Sequence, residues 1–164
     1  MSAGGGEQAR LTHLDDRGHA HMVDVTAKQV TQRSATASVQ VLLSAAAVEA
    51  LRSGQVPKGD ALATARIAGI MGAKKTPELV PLCHPLMVSG VQVECEVVDA
   101  GVAITATVRT AERTGVEMEA LTAVSVAALT VVDMVKAIDK TAVIGQIQVE
   151  AKSGGRSGDW RRDG

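Results

Sequence analysis

The chain reads as an α+β domain: one antiparallel sheet, with strands and helices in a split β-α-β-β-α-β order. Three observations predict this. Four segments alternate apolar and polar residues, the period of half-buried strands. Helical segments with cap residues separate the first strand from the second and the third from the fourth. The length, 164 residues, is that of one ordinary domain.

Residues 1–9 are glycine-rich and read as a flexible tail. From Arg10 to Val25 there is no clear period, so a loop is expected. Between Arg33 and Val41, Ala35, Ala37, Val39 and Val41 alternate with Ser34, Thr36, Ser38 and Gln40, which predicts the first strand. Ser44 is placed to cap a short helix closing at Gly54, and Asp60 a second running to about Ala73. Pro81 and Pro85 bracket Leu82-Cys83-His84 and exclude a helix there.

Val91, Val93, Cys95 and Val97 alternate with Gln92, Glu94 and Glu96. Val102, Ile104, Ala106 and Val108 repeat the pattern after the turn Asp99-Ala100-Gly101, so the two form a hairpin. A long helix is expected from about Gly115 to Ile138. Ile147, Val149 and Ala151 then alternate with Gln148, Glu150 and Lys152 in a last strand. Residues 153–158 read as a mobile or ligand-ordered segment. Setting one short helix aside, this is a ferredoxin-like β-α-β-β-α-β antiparallel sheet with an extra helix. Residues 10–160 form a single domain and 161–164 a C-terminal tail.

The core must be unusual. Hydrophobic residues make up 46% of the chain, yet there is no Phe, no Tyr and one tryptophan, Trp160. Val, Ala, Leu, Ile and Met must fill it. The formal net charge of −1 calls for no nucleic-acid or membrane partner. Two cysteines are too few for a disulfide framework and match no zinc spacing. Reduced thiols in a cytoplasmic protein are the simplest reading. No secretory leader is evident, and the longest uncharged apolar run is shorter than the roughly twenty residues a bilayer needs.

That run, Ala120 to Val132, carries the functional argument. Glu117 and Glu119 enter it, and Asp133 and Lys136 leave it. A helix apolar almost all round is buried, and charges at its ends need partners or a task. Thr114 and Glu117 fit a capping box, which explains Glu117 as well as a ligand role does. Glu119 has no such local explanation and is expected to face a cavity or another subunit. Asp133 and Lys136 share a helical face; partial burial would shift both toward acid–base work. Glu119 and Asp133 are about 21 Å apart along one helix, too far for one small ligand. A second subunit supplying one end of the site is the favoured resolution.

Lys58-Gly59-Asp60 opens a helix and reads as a weak anion site. No P-loop pattern occurs. Val80 to Leu86 holds Cys83 and His84 between prolines, best read as a rigid turn presenting His84 as a hydrogen-bond donor. A catalytic thiol, or a metal site drawing on His19 and His21, rates lower. The run from Lys152 to Gly158, with Lys58, Lys136 and Arg33, gives cations suited to a polyphosphate.

Together these segments resemble the cyclic pyranopterin monophosphate synthase family, the C protein of molybdenum-cofactor biosynthesis (MoaC). The resemblance rests on the run from Lys58 through Ile70, on Leu82 to Leu86, Gly115 to Ala123, Asp133-Met134 with Lys136, Ala151 to Gly155, and His21 to Val25. It implies conversion of 3′,8-cyclo-7,8-dihydro-GTP to cyclic pyranopterin monophosphate and pyrophosphate, by a homohexamer (a trimer of dimers) with active sites at the dimer interface. Asp133 would be the acid–base residue, with Lys136 and Lys58 as catalytic partners. Leu82, Cys83, His84, Met118 and Glu119 would contact substrate, and Arg33 and Lys152 would bind phosphate or base. No cofactor or resident metal is implied, magnesium entering at most with the triphosphate. The rival from another class is a nucleotide sensor or scaffold using the same pocket, which leaves the Asp133/Lys136 pair unexplained.

Overall fold

A computed structural model describes residues 12–163; the tail expected over residues 1–9 lies outside them. The elements are β1 (Thr31–Leu42), α1 (Ala45–Ser53), α2 (Ala61–Lys74), α3 (Thr76–Leu79), β2 (Val88–Val98), β3 (Gly101–Glu112), α4 (Glu117–Val135), β4 (Val143–Ser153) and β5 (Trp160–Arg161). The strands form one sheet in the order β2-β3-β1-β4-β5, each neighbour antiparallel. This is the ferredoxin-like arrangement, with β5 added at one edge and α1 and α3 as extra helices.

The local signals act as their chemistry requires. Ser44 Oγ accepts from the Ala47 amide, and Gly54 closes α1 in the left-handed region at φ 69°. Asp60 accepts from the Ala63 amide and starts α2. Ala35, Ala37, Val39 and Val41 of β1 are all buried, facing Val102, Ile104, Ala106 and Val108 of β3 under α4. Two elements lacked a sequence signal. The single turn of α3 begins beside Pro77, which tolerates the first turn of a helix. The two-residue β5 is too short to show a period and forms by pairing with Ala151 and Lys152.

The long helix is shorter than expected, starting at Glu117 and ending at Val135. No capping box forms: Val116 is the N-cap and no side chain caps the end. At nineteen residues α4 is long and apolar enough to cross a bilayer. Here it is a core helix, with Ala120, Ala123, Val124, Ala127, Ala128 and Val131 all buried. Its hydroxyls are satisfied locally: Thr122, Ser125 and Thr130 donate to the carbonyls of Met118, Leu121 and Val126 one turn back.

With no Phe or Tyr to span a gap, the helices must approach closely. Gly69 and Gly72 of α2 provide that approach. A Cβ at Gly69 would lie 3.0 Å from the Ala123 carbonyl oxygen, and one at Gly72 would lie 2.9 Å from Val126 Cβ. Gly72→Ala is expected to destabilise the fold by up to ~2 kcal/mol, an overpacking cost of ~1–3 kcal/mol less the ~1 kcal/mol that Ala gains over Gly in a helix. The shift of the urea midpoint at unchanged m-value measures it.

Candidate functional site

A cleft of about 570 Å³ opens at the N-terminal end of α4, within the range of small-molecule sites. Leu82, Cys83, His84, Glu117, Met118, Glu119 and Lys152 all line it, so seven of the eight expected binding residues meet in one cavity. The 82–84 loop is held from two sides. The Cys83 amide donates to the Val80 carbonyl at 3.1 Å. His84 Nε2 lies 2.6 Å from the Val23 carbonyl oxygen, so that nitrogen carries the proton and donates. The expected donor role of His84 is therefore met inside the protein, with Nε2 committed. Among the described residues, no group of three or more His, Cys, Asp or Glu is arranged to hold a metal ion.

Two carboxylates, Glu117 and Glu119, enter the cleft from the first turn of α4. Glu119 is only 3% exposed, and among the described residues no ion pair reaches it. Burial pushes its pKa up, with the Glu117 charge adding to the rise. Burial also raises the Cys83 thiol, with Glu119 nearby, so it is not an activated nucleophile. Glu117, free of any capping duty, pairs with Lys152 Nζ at 3.2 Å.

Simple alternation would set Lys152 on the face opposite Val149. The register of β4 shows why it is not there. Ala35 pairs with Lys152 and Thr36 with Ala151, but Ala37 pairs with Val149, so Glu150 is an extra residue in a bulge. The bulge resets the phase and turns both Val149 and Lys152 toward the helix side, where both line the cleft. Glu150 turns to the other sheet face, where Ser38 and Gln148 donate to it.

Arg33, the eighth binding residue, lies beside the cleft in a smaller cavity shared with Lys28, Glu117 and Lys152. Its guanidinium donates to the carbonyls of Glu112 at 3.0 Å and Arg113 at 3.2 Å, so part of its donor set is structural. Gly154, at φ +83°, lines this cavity and Gly155, at φ +79°, lies against Arg33: a Cβ at Gly155 would strike the Arg33 guanidinium, and one at Gly154 the Gln32 carbonyl. Residues 153–158, read as mobile or ligand-ordered, form a turn held by internal hydrogen bonds. The Gly154 amide donates to Asp159, and Lys152 to Ser157.

The three expected catalytic residues meet at the opposite end of α4. Asp133 accepts from Lys136 Nζ at 2.7 Å and Lys58 Nζ at 2.8 Å. Lys58 arrives on a turn closed by the Gly59 amide donating to Val56. A small second core of Ala50, Val56, Ala61 and Met134, with Leu51 and Ile138 against it, fixes that turn to the helix end. Asp139, 4% exposed, clamps the same junction by accepting from the Ser44 and Thr141 amides. The expected partial burial of the Asp133/Lys136 pair is absent: Asp133 is half exposed in the single chain. Its ammonium partners, Lys136 first, hold its pKa at about 2.

Sequence reasoning passed over Lys28, Val23 and Val25, which also line the cleft. Their loop shows no period, but it holds a local signal. Asp24 accepts from both the amide and the hydroxyl of Thr26, a turn that Asp-x-Thr encodes. The next turn, Lys28 N–H to the Val25 carbonyl, delivers Lys28 to the site.

The MoaC family model matches residues 22–155, most of the chain. The chain belongs to the MoaC family. It is 70% identical over 155 residues to a cyclic pyranopterin monophosphate synthase of Streptomyces griseus, covering 94% of this chain and 88% of that protein. A Nocardioides protein of the same name is 66% identical over 156 residues, covering 93% and 96%. Cyclic pyranopterin monophosphate synthase 2 of Mycobacterium tuberculosis is 57% identical over 152 residues, covering 93% and 91%. The MoaC match includes both ends of α4, the Lys58 turn and the 82–84 loop. Trp160 lies past it.

Glu119 provides a pH test. Its native pKa lies above its unfolded value, so the native state holds the extra proton, and stability falls as pH rises from about 4.5 through the raised pKa. Glu119→Gln removes that charge and keeps the shape. Its Tm is expected to exceed that of the wild type at pH 7 and to match it near pH 4, as scanning calorimetry at the two pH values would measure.

Proposed function

We propose that this protein is a cyclic pyranopterin monophosphate synthase of molybdenum-cofactor biosynthesis, a pyrophosphate-releasing lyase acting on 3′,8-cyclo-7,8-dihydro-GTP. The observation that carries the reading is the pairing of an anion-suited cleft at one end of α4 with the Lys58–Asp133–Lys136 cluster at the other. The names of the MoaC relatives support it.

The chemistry asks for two things. The five-membered ring of the purine opens and the fragments rejoin as a pterin, which needs several proton transfers. A sugar hydroxyl then attacks the α-phosphorus, forming the cyclic phosphate and expelling pyrophosphate. Lys28, Arg33 and Lys152 are placed to neutralise the charge that gathers on the leaving oxygens. Any magnesium belongs to the substrate, carried in with the triphosphate. Asp133 serves as proton acceptor and Lys58 and Lys136 as proton donors.

In the single chain Asp133 is a carboxylate with a pKa of about 2, a poor base. Removing water from the cluster would raise the cost of its charges and bring acid and base closer in strength. A second copy is suited to do this. Asp133 and Lys136 share the outward face of α4 with Leu129, which is 60% exposed, and α2 adds exposed Ile67 and Met71. A partner covering that apolar face would desolvate the cluster and bring its own cleft to it. The 19-residue span of α4, about 28 Å, keeps one chain from using both its ends on one ligand. We assign self-association as a homohexamer, a trimer of dimers, on this ground and on the family resemblance. We place the protein in the cytoplasm, where free Cys83 and Cys95 stay reduced.

Asp133→Asn and Lys136→Ala are expected to fold and to lose product formation by at least ~100-fold, the scale of a lost acid–base group. Pyrophosphate release with a pterin product from the cyclised GTP is the assay; near-normal turnover by folded Asp133→Asn would sink the role. A mixing experiment tests the shared site. Asp133→Asn is co-refolded with Glu119→Gln, which is expected to lose activity with the substrate contact of Glu119 in the cleft. If each site draws on two chains, random pairing restores about one quarter of wild-type activity, from the one intact site in each mixed dimer. No recovery from mixed dimers would refute shared sites.

A further inference from the structure

We infer that Trp160 forms the base-stacking wall of the cleft, taking the planar heteroaromatic ring of a nucleotide-class ligand against its indole. This rests on the reading of the cleft as a nucleotide site and extends it to a residue that reading does not use. Trp160 is the single aromatic residue of the chain, and it sits on the cleft wall rather than in the core. A tryptophan is costly to leave at a surface, yet this one is 43% exposed.

Its placement is built. Trp160 pairs across the sheet edge with Lys152, so the two side chains share a face. Lys152 is the cation that joins the cleft to the smaller basic cavity holding Lys28 and Arg33. A ligand with its phosphates among those cations has its base end in the cavity that Trp160 lines. The indole is also held in place. The Arg162 guanidinium lies over the ring at 5.6 Å from its centroid, and Arg162 is itself anchored by donating to the Val149 carbonyl at 2.9 Å. Stacking on a fixed aromatic face suits any base, because every base has a π-face. The other planar rings lining the cleft among the described residues are the imidazoles of His13 and His84, both smaller than the indole, and His84 is committed through Nε2 to the Val23 carbonyl.

The test uses the full chain and two stable probes, GTP and inorganic tripolyphosphate, with affinity by calorimetry and emission from the one tryptophan. GTP is expected to change the emission and tripolyphosphate to leave it nearly unaltered. Trp160→Ala is expected to weaken GTP about tenfold or more and to leave tripolyphosphate within about twofold, a split that a merely structural role would not produce. Trp160→Phe keeps a ring and should restore most of the GTP affinity. Unchanged GTP affinity in folded Trp160→Ala overturns the inference, as does an equal loss for both probes. Wild-type binding of GTP with no change in emission overturns it too, while the nucleotide reading stands. If the wild type binds neither probe, the nucleotide reading fails and the stacking role falls with it.

Discussion

The close approach of α2 to α4 is the constraint from which the rest of the structure follows. A core without Phe or Tyr cannot bridge a wide gap, so backbone must come near backbone. Gly69 and Gly72 permit this, and Ala123 and Val126 of α4 fill the space that side chains would otherwise take. The same closeness keeps α4 continuous and fixed across β1 and β3. A fixed helix of nineteen residues sets the separation of the two groups of polar residues at its ends.

Those ends are opposite in electrostatic character. At the N-terminal end Glu119 is buried with no ion pair among the described residues, and its proton is held more tightly. At the C-terminal end Asp133 stands half exposed between two ammonium groups and gives up its proton readily. One helix thus carries a carboxyl biased toward the acid form and another biased toward the anion, the kind of separation that assigns distinct roles to like groups. The small core around Met134 and the Asp139 clamp hold the second group in place. A partner that dries it would change its proton affinity without moving its atoms.

Much of the fold was legible because its signals are local. Alternation from Ala35 to Val41 named the buried face of β1, and Ser44, Gly54 and Asp60 named helix ends. The failures have physical causes. Thr114 and Glu117 match a capping box in type and spacing, but Glu117 gains an ion pair with Lys152, and the helix starts later. Leu82, Cys83, His84, Met118 and Glu119 were legible as motifs. Lys28 was not, because its loop has no period and its turn depends on Asp24 and Thr26.

The sequence by itself determined the strand and helix order, the inward faces of the first three strands and the charged residues framing α4. These follow from periodicity and capping, which act within a few residues. Only the tertiary structure decided which faces of β4 and β5 meet the site. Period-two alternation would turn Lys152 away from Val149. One extra residue at Glu150 reverses that, and its cause is pairing with β1, more than a hundred residues earlier in the chain. The position of Trp160 follows from the same strand, because β5 exists only as a partner of Ala151 and Lys152. Register is a property of two strands at once, so no reading of one segment contains it.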